Sequence, residues 1–378
     1  MPGYSLEVKD PCSFITVANV LVLEPWYLGS HRSWVKGWRS HSNHSIRVIN
    51  GTDSGWRRSL VTAPTRFAEA INEATKPIDA LVASTPIDLA SVLGLIDRST
   101  YRPPTLLYMH ESQIGYPPGP KGGRPYRAMV NDLNSIMSAD KVAVATQYHA
   151  DLLRKGMPTF AEELVEGSGR KVQSKLEALH VLPVGIEVSG LSPASVSGPT
   201  RVLWNHRWSH DKNPGEFVHA MTLLAAEGYE FSLYALGEVE RAGEKAHRRM
   251  TEQLSDRVLI SGTQNRDTYR QILCNSDLVV STAHHEFFGI AIAEAIAAGA
   301  RPLIPDRLSY PEIVPREFSS EYLYSGPFDE ALRATLSKSR DDLHINRRRT
   351  RECISAFAWE ALAPKYDSLL DGLLADAS

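Results

Sequence analysis

Long apolar runs, paired cysteines and a strong charge of one sign are what this chain lacks. No stretch approaches the roughly 18 apolar residues that a membrane span requires. The three cysteines, Cys12, Cys274 and Cys353, are odd in number and far apart. That argues against a disulfide framework or a zinc site and suits a reducing compartment, so a cytoplasmic location and no membrane partner are expected. The formal net charge of -3 gives no global pull toward nucleic acid. A polyanion would have to be met by a local patch. Glu7, Lys9 and Asp10 stand near the start without an apolar run, so no secretory leader is expected there. There is no internal repeat and no low-complexity tract. Hydrophobic residues at 43% and charged residues at 22% describe a soluble, enzyme-like chain, and 378 residues allow two domains of ordinary size.

What is present is an alternating rhythm. Asn19–Glu24 (NVLVLE) is a short apolar run that reads as a buried parallel strand. The loop PWYLGSH follows, with a helix expected from about His31. Further strands are expected at Ser45–Asn50, Asp79–Ser84, Thr105–His110 and Lys141–Ala145. Helices are expected at Ala63–Ala74, Leu89–Ile96, Tyr126–Ala139 and Gln147–Lys155. Between residues 156 and 200 the rhythm breaks. Gly and Ser are frequent, only Val181–Gly185 reads as extended, and 190–200 (GLSPASVSGPT) reads as a linker. Strands then resume at Arg201–Asn205, Phe231–Leu236, Val258–Ser261 and Asp277–Ser281, with helices at Pro214–Glu227 and Asp267–Leu273. Helices at Phe328–Lys338, Asp341–Phe357 and Trp359–Ala375 close the chain. Alternation of this kind implies parallel sheets with helices on both faces. The expected division is an extension (1–18), a first Rossmann-like domain (19–190), a linker (191–200), a second Rossmann-like domain (201–355), and a C-terminal helix (356–378) that packs back on the first domain. Two doubly wound halves leave a cleft between them, where open α/β sheets bind ligands.

The most informative stretch is HHEFFGIAIAEAIAAGARPLIP, residues 284–305. A loop carrying Glu286 ends at Gly289, a small-residue helix runs from Ile290 to Ala298, Gly299 stops it, and Arg301–Pro305 reads as a strand. Eight helical residues between Glu286 and Glu294 would rise about 12 Å. Two carboxylates so placed can grip hydroxyls at both ends of an extended ligand, and the helix N-terminus between them suits an anion. A nucleotide diphosphate sugar has that layout. Alone, such a spacing is more often a capped helix on a sheet. A second element supports it. WNHRWSHDKNP (204–214) lies in the first strand-to-helix loop of the second half, where Arg207 and Lys212 can hold phosphates. Their bland alternative is a surface pairing with Asp211 or Glu216.

The first half offers LGSH (28–31), where Gly29 lets backbone approach a ligand and Ser30 can cap the next helix. MHESQIGYP (109–117) places His110 and Glu111 at a strand's C-terminal end, where they can orient or deprotonate an acceptor hydroxyl. Lys121, Arg124 and Arg127 lie on a Gly/Pro loop with Tyr116 and Tyr126 nearby, a mixture that suits RNA. Arg347, Arg348, Arg349 and Arg351 form a second basic cluster on a C-terminal helix.

With those residues laid out, the second half resembles glycosyltransferase family 4, which has the GT-B fold. EPWYLGSH, HESQIGYP, LWNHRWSHDKNP and STAHHEFFGIAIAEAIAAG, followed by Pro302 and YPEI (310–313), together resemble the tRNA-queuosine alpha-mannosyltransferase group over roughly residues 19–315. Two departures from that pattern are Leu28, where a glycine is expected, and Ser112, where Asn is more usual. The resemblance implies a retaining, metal-independent transfer of mannose from GDP-mannose to the cyclopentenediol of queuosine in tRNA. It implies no cofactor beyond the donor substrate. Arg207 and Lys212 would hold the diphosphate, Glu286 the mannose hydroxyls and Glu294 the ribose. Gly29, Ser30, His31, Phe287, Phe288 and Gly289 would complete the donor side. His110 and Glu111 would lie at the reacting centre, with Gln113, Tyr116, Lys121, Arg124 and Arg127 toward the tRNA. A same-face displacement, in which the leaving phosphate accepts the acceptor proton, needs no protein nucleophile. The residues themselves leave open a lipid, glycan or small-molecule acceptor, a non-catalytic sugar-nucleotide sensor, and any oligomeric state.

Overall fold

The computed structural model describes residues 17–51, 56–97, 99, 101–116, 125–194 and 197–377. The expected extension 1–18 therefore lies almost wholly outside the described residues. The first half contains β1 (Asn19–Glu24), α1 (Gly29–His41), β2 (Ser45–Asn50), α2 (Trp56–Asn72), β3 (Ala80–Ser84) and α3 (Leu89–Leu95). β4 (Thr105–Met109), α4 (Tyr126–Ser138), β5 (Lys141–Val144), α5 (Gln147–Leu164), α6 (Gly169–Glu177) and β6 (His180–Val181) complete it. The second half runs through β7 (Thr200–Asn205), α7 (Pro214–Ala226), β8 (Phe231–Leu236), α8 (Glu244–Gln253), β9 (Val258–Gly262) and α9 (Arg266–Asn275). There follow β10 (Leu278–Val280), α10 (Ile290–Ala298), β11 (Arg301–Pro305), α11 (Tyr310–Ile313), α12 (Ser319–Tyr322) and β12 (Leu323–Tyr324). Helices α13 (Phe328–Leu336), α14 (Arg340–His344), α15 (Arg347–Ile354) and α16 (Trp359–Ala377) end the chain.

Both sheets have six parallel strands, in the orders β2-β1-β3-β4-β5-β6 and β12-β11-β10-β7-β8-β9. The central strands read as unbroken apolar runs because helices cover both faces: β3 and β4 are buried at every position. Strand order reverses between β1 and β3 in one sheet and between β7 and β10 in the other. Those switch points are where loops diverge and leave a crevice at the carboxyl ends of the strands. The loops after β1, β4, β7 and β10 carry the motifs singled out above.

Three expectations need correction. The stretch from 156 onward is not a break: α5 continues through it to Leu164 and α6 follows, burying Val172 and Leu176. The polar helix α8 was not foreseen, because EKAHRRMTEQ buries only Met250 and so shows no apolar stripe. The single helix expected over Asp341–Phe357 is broken into α14, α15 and a short 3₁₀ turn at Ser355–Phe357.

The chain crosses back near its end. Ile186 pairs with Ala358 in a parallel bridge, and α16 then lies against α1 and β4 of the first half. Trp34 Nε1 donates to Tyr366 Oη at 3.0 Å, and Tyr366 Oη donates onward to the Pro183 carbonyl at 2.9 Å. The buried Asp367 accepts from Trp38 Nε1 at 3.1 Å, Ser42 Oγ at 2.6 Å and the Asn43 N–H at 2.7 Å. Trp359 slots between two glycines: a Cβ on Gly37 would stand 1.9 Å from its Nε1, and one on Gly185 2.3 Å from its Cδ2. One apolar cluster consequently runs from β1 and β4 through Trp359 and Tyr366 into α10. Trp359→Ala is expected to cost about 3–5 kcal/mol, the range for emptying a fully packed indole site. Denaturant titration of the parent and the variant checks it.

Candidate active site at the cleft

The site is built by loops at the carboxyl ends of the parallel strands. In the second half, β7 leads through His206, Arg207 and Trp208 to a 3₁₀ turn at His210–Lys212 and then to α7, with Asn213 in the left-handed region at φ 50°. Lys212 is buried and surrounded by acceptors. Its Nζ lies 2.6 Å from the His285 carbonyl, 3.2 Å from Glu286 Oε2 and 3.2 Å from Asp211 Oδ2. Two of its donors are thereby hydrogen-bonded, and Asp211 adds an ion pair. Burial disfavours the charge of Lys212, but Glu286 and Asp211 outweigh it and hold the ammonium above its usual range. Burial likewise opposes the charge of Glu286, yet Lys212 and His206 hold its carboxyl below the ordinary value. Neither residue is the solvated surface group of the bland reading. Arg207 is different: it is exposed, and its Nη1 meets Glu240 at 2.9 Å.

β10 leads through His284, His285 and Glu286 to Gly289, whose φ of 96° turns the chain into α10 without a side-chain cap. The first N–H groups of α10 are therefore open to an anion. Glu286 belongs to the loop, so only Ile290–Glu294 of the interval is helical and the rise along it is about 6 Å, not 12 Å. Glu294 is mostly buried, with Arg266 Nη2 at 2.9 Å and Tyr269 Oη at 2.8 Å. Phe287 and Phe288 do not present their rings to a ligand. Phe287 packs on His149 at 4.0 Å, and Phe288 packs edge-on against Phe357 at 5.4 Å. The Phe287 backbone is engaged too, its N–H donating to Glu286 Oε1 at 3.2 Å and its carbonyl accepting from Thr146 Oγ1 at 2.8 Å.

In the first half, α1 begins at Gly29 (φ 50°) with Leu28 in the cap position, so Ser30 does not cap it. Ser30, Ser33 and Lys36 face Ile290, Glu294 and Arg266 across a cavity of about 210 Å³. His31 follows in the first turn, its Nδ1 3.1 Å from Glu24 Oε1, and its ring is 4.3 Å from that of His110. Thr85, after β3, accepts from the His110 N–H at 3.0 Å and so fixes the loop that carries the His-Glu pair. His110 is walled by Trp34, Tyr108 and His31, and burial pushes it well below the usual imidazole range. Glu111 is the shared anion of the cleft: its charge is felt by His31, Tyr116, Asp132 and Arg207.

The loop after β4 also reaches the other half. The Tyr116 ring lies 4.1 Å from that of His285, and Arg207 stands close enough to offset part of the rise that burial gives its phenol. Tyr116 thus touches the second half at the loop that carries Glu286. The Gln113 N–H donates to Asp132 Oδ2 at 2.8 Å, and burial pushes the Asp132 carboxyl up to about 7. Lys121 and Arg124 lie outside the described residues. Arg127 is exposed on the first turn of α4. The other basic cluster divides: Arg347 and Arg351 turn into the fold, whereas Arg348 and Arg349 stay exposed, Arg348 3.6 Å from Glu352. Arg347 is 3.9 Å from Asp277, Arg349 is 2.9 Å from Glu317, and Arg351 donates to the Ala297 and Leu191 carbonyls. Among the described residues, Glu24, His31 and His110 have donor atoms within 4.8 Å of one another, close enough to share a cation. The Glu24–His31 hydrogen bond already fills that edge, and we read the group as an ion pair beside a neutral imidazole.

Sequence reasoning missed Glu24, Thr85, Asp132, Arg266 and Tyr269. Glu24 carried the one available signal, an acid ending an otherwise apolar strand. Lys212→Met is expected to cost about 3–5 kcal/mol, because Asp211 and Glu286 are left buried and unpaired. Denaturation checks it, and a cost below about 1 kcal/mol would show that these carboxylates are not held by Lys212.

Residues 19–186 match the family model for the tRNA-queuosine alpha-mannosyltransferase N-terminal region, and residues 192–351 match that for glycosyl transferases group 1. The tRNA-queuosine alpha-mannosyltransferase of Drosophila melanogaster is 27% identical over 379 residues, spanning 95% of this chain and 98% of that protein. The solved sucrose-phosphate synthase from Thermosynechococcus elongatus aligns with a TM-score of 0.73 at 17% identity, over 96% of this chain and 100% of that one. The catalytic domain of starch synthase IV from Arabidopsis thaliana, bound to ADP and acarbose, aligns with a TM-score of 0.68 at 13% identity, over 95% and 99%. No helix among the described residues is long and apolar enough to cross a membrane. Two glycosyltransferase models thus divide the chain, that of the tRNA-queuosine alpha-mannosyltransferase N-terminal region on its first half and that of the group 1 transferases on its second, and the chain is a GT-B glycosyltransferase.

Proposed function

We propose that this glycosyltransferase moves mannose, with retention, from GDP-mannose to the cyclopentenediol of queuosine in tRNA, in the cytoplasm and without a metal. The observation that carries this reading is the match of the first half, 19–186, to a family named for that acceptor. The geometry is consistent with it. An anion-ready helix N-terminus, Arg207 and the Lys212–Glu286 pair lie on one side of the cleft. His110 and Glu111 lie on the other, within reach of the same loops through Tyr116. In the transfer, the bond from the sugar C1 to the diphosphate oxygen breaks. The acceptor oxygen bonds C1 from the same face, and its proton passes to the departing phosphate. Arg207 and the first N–H groups of α10 stabilise the charge that develops there. Lys212, hydrogen-bonded to Glu286 and to the His285 carbonyl, holds Glu286 in place to meet sugar hydroxyls. Glu294 would meet the ribose with the lone pairs that Arg266 and Tyr269 leave.

Incubation with GDP-mannose and bulk tRNA, followed by digestion and mass analysis, is expected to show queuosine carrying one added hexose. Free mannose without a modified nucleoside would point to another acceptor. An intact donor would point to a sensor. The two carboxylates should also separate. Glu286→Ala is expected to leave GDP affinity within about twofold while lowering turnover, and Glu294→Ala to weaken GDP and GDP-mannose alike. Calorimetry in which both variants behave the same toward GDP would refute this placement.

A further inference from the structure

Glu24 has no role in the transfer described above, yet its setting is specialised. It ends β1 at the switch point of the first sheet and is fully buried. A carboxylate there needs a strong reason to remain. Its Oε1 accepts the Trp26 N–H at 2.9 Å, and both oxygens lie 3.1 Å from His31 Nδ1. With Nδ1 committed, Nε2 is the atom of His31 left to meet a ligand. His31 is in the first turn of α1, which has no acid and no side-chain cap to compete for an anion. The groups facing it are Glu24 from β1, and Glu111 and His110 from the end of β4. His110 in turn faces His31 and His149. Two imidazoles in contact are thus given opposite surroundings. Burial works against the charge of His31, but Glu24 overrides it and raises the ring above its usual range. Burial and two neighbouring imidazoles keep His110 neutral. Environments that drive a pair apart in this way assign different proton roles to its members.

We propose that Glu24 is a positioning residue for the transfer: by holding His31 at Nδ1 it fixes the ring and keeps it a charged hydrogen-bond donor toward a phosphoryl oxygen of the sugar nucleotide, leaving His110 as the neutral imidazole beside the sugar and acceptor. This rests on the donor reading above. No proton is transferred by the pair; His31 offers a hydrogen bond that strengthens as the phosphoryl oxygen gains charge. His31 is charged below its folded pKa and loses that charge as pH rises through it, so the pair governs the alkaline limb of the rate profile.

Glu24→Gln keeps the shape and removes the charge. In the unliganded protein, NMR titration of the imidazole protons is expected to find His31 titrating at lower pH in Glu24→Gln than in the parent. The alkaline limb of kcat should move down with it, and kcat at pH 8 should fall roughly tenfold with KM for GDP-mannose nearly unchanged. His31→Gln should show the same loss, and adding Glu24→Gln to it should cost nothing further. An unchanged His31 titration, an unchanged alkaline limb, or a Glu24→Gln loss that persists without His31 would overturn the proposal. If Glu24→Gln does not fold, His31→Gln decides: loss of the alkaline limb supports the role and an unaltered limb refutes it. Absence of any mannosyl transfer by the unaltered protein would sink the functional reading, whereas the titration alone would still decide the Glu24–His31 pair.

Discussion

A lysine ammonium withdrawn from water must be given acceptors for each of its protons, and meeting that demand organises the second half of this molecule. Lys212 draws the His285 carbonyl, Glu286 and Asp211 around one point. The first two belong to the loop after β10 and the last to the loop after β7. Those strands are neighbours at the switch point. The crevice that topology opens there is thus closed at its floor by one charge cluster. Thr282 Oγ1, bonded to the Lys212 and Asn213 carbonyls at 3.0 Å each, ties the same two loops from below. Because Glu286 is set in the loop and not in α10, its position depends on Lys212 and not on helix geometry. Removing Lys212 therefore disturbs the Glu286 carboxylate as well as the fold beneath it.

The two halves are not independent supports for this cluster. Thr146 Oγ1, at the start of α5, donates to the Phe287 carbonyl at 2.8 Å. Glu312 accepts the Gln147 and Tyr148 N–H groups at 2.8 and 2.7 Å, capping α5 from the opposite half. α16 starts beside the second half and buries Trp359 and Tyr366 in the first. The cleft is framed by one apolar seam and one polar latch. The seam is non-directional and tolerates small sliding, whereas the latch requires the start of α5 and α11 to be in register.

Much of this was legible in the sequence where a single residue type leaves few options. Gly289 and Gly299 bracket α10 because both occupy the left-handed region, at φ 96° and 105°. Apolar runs bounded by turn residues gave the central strands nearly to the residue. What stayed hidden is what one residue does for another at long sequence distance. Glu24 looks like the polar end of a strand until α1 brings His31 back beside it. Asp132 and Thr85 carry no motif, yet they hold the loop bearing His110 and Glu111. Arg266 and Tyr269 lie on a helix whose sequence announces nothing about Glu294. Phe287 and Phe288 share a motif with Glu286, but an aromatic ring with a packing partner nearby follows the core and not the motif. The helix α6 was legible after all: Val172 and Leu176 share one face, and the surrounding Gly and Ser obscured it.

The imidazoles of the cleft show the same dependence of chemistry on partners. His110, His149, His206 and His285 are all crowded by protein, and all are pushed down, the last three to about 3, 4 and 4. His206 and His285 lie beside Lys212, which repels a second positive charge. His110 and His149 have imidazoles as neighbours, and burial dominates both. His31 is only slightly more open than they are. What separates it is a carboxylate within hydrogen-bond distance and a second, Glu111, nearby. Net charge says nothing about this, since the chain totals -3. Cations placed singly, each with its own counter-charge, leave no broad field of positive charge in a cleft. Arg207 with Glu240, Lys212 with Glu286 and His31 with Glu24 follow that pattern at three separate points around one cleft.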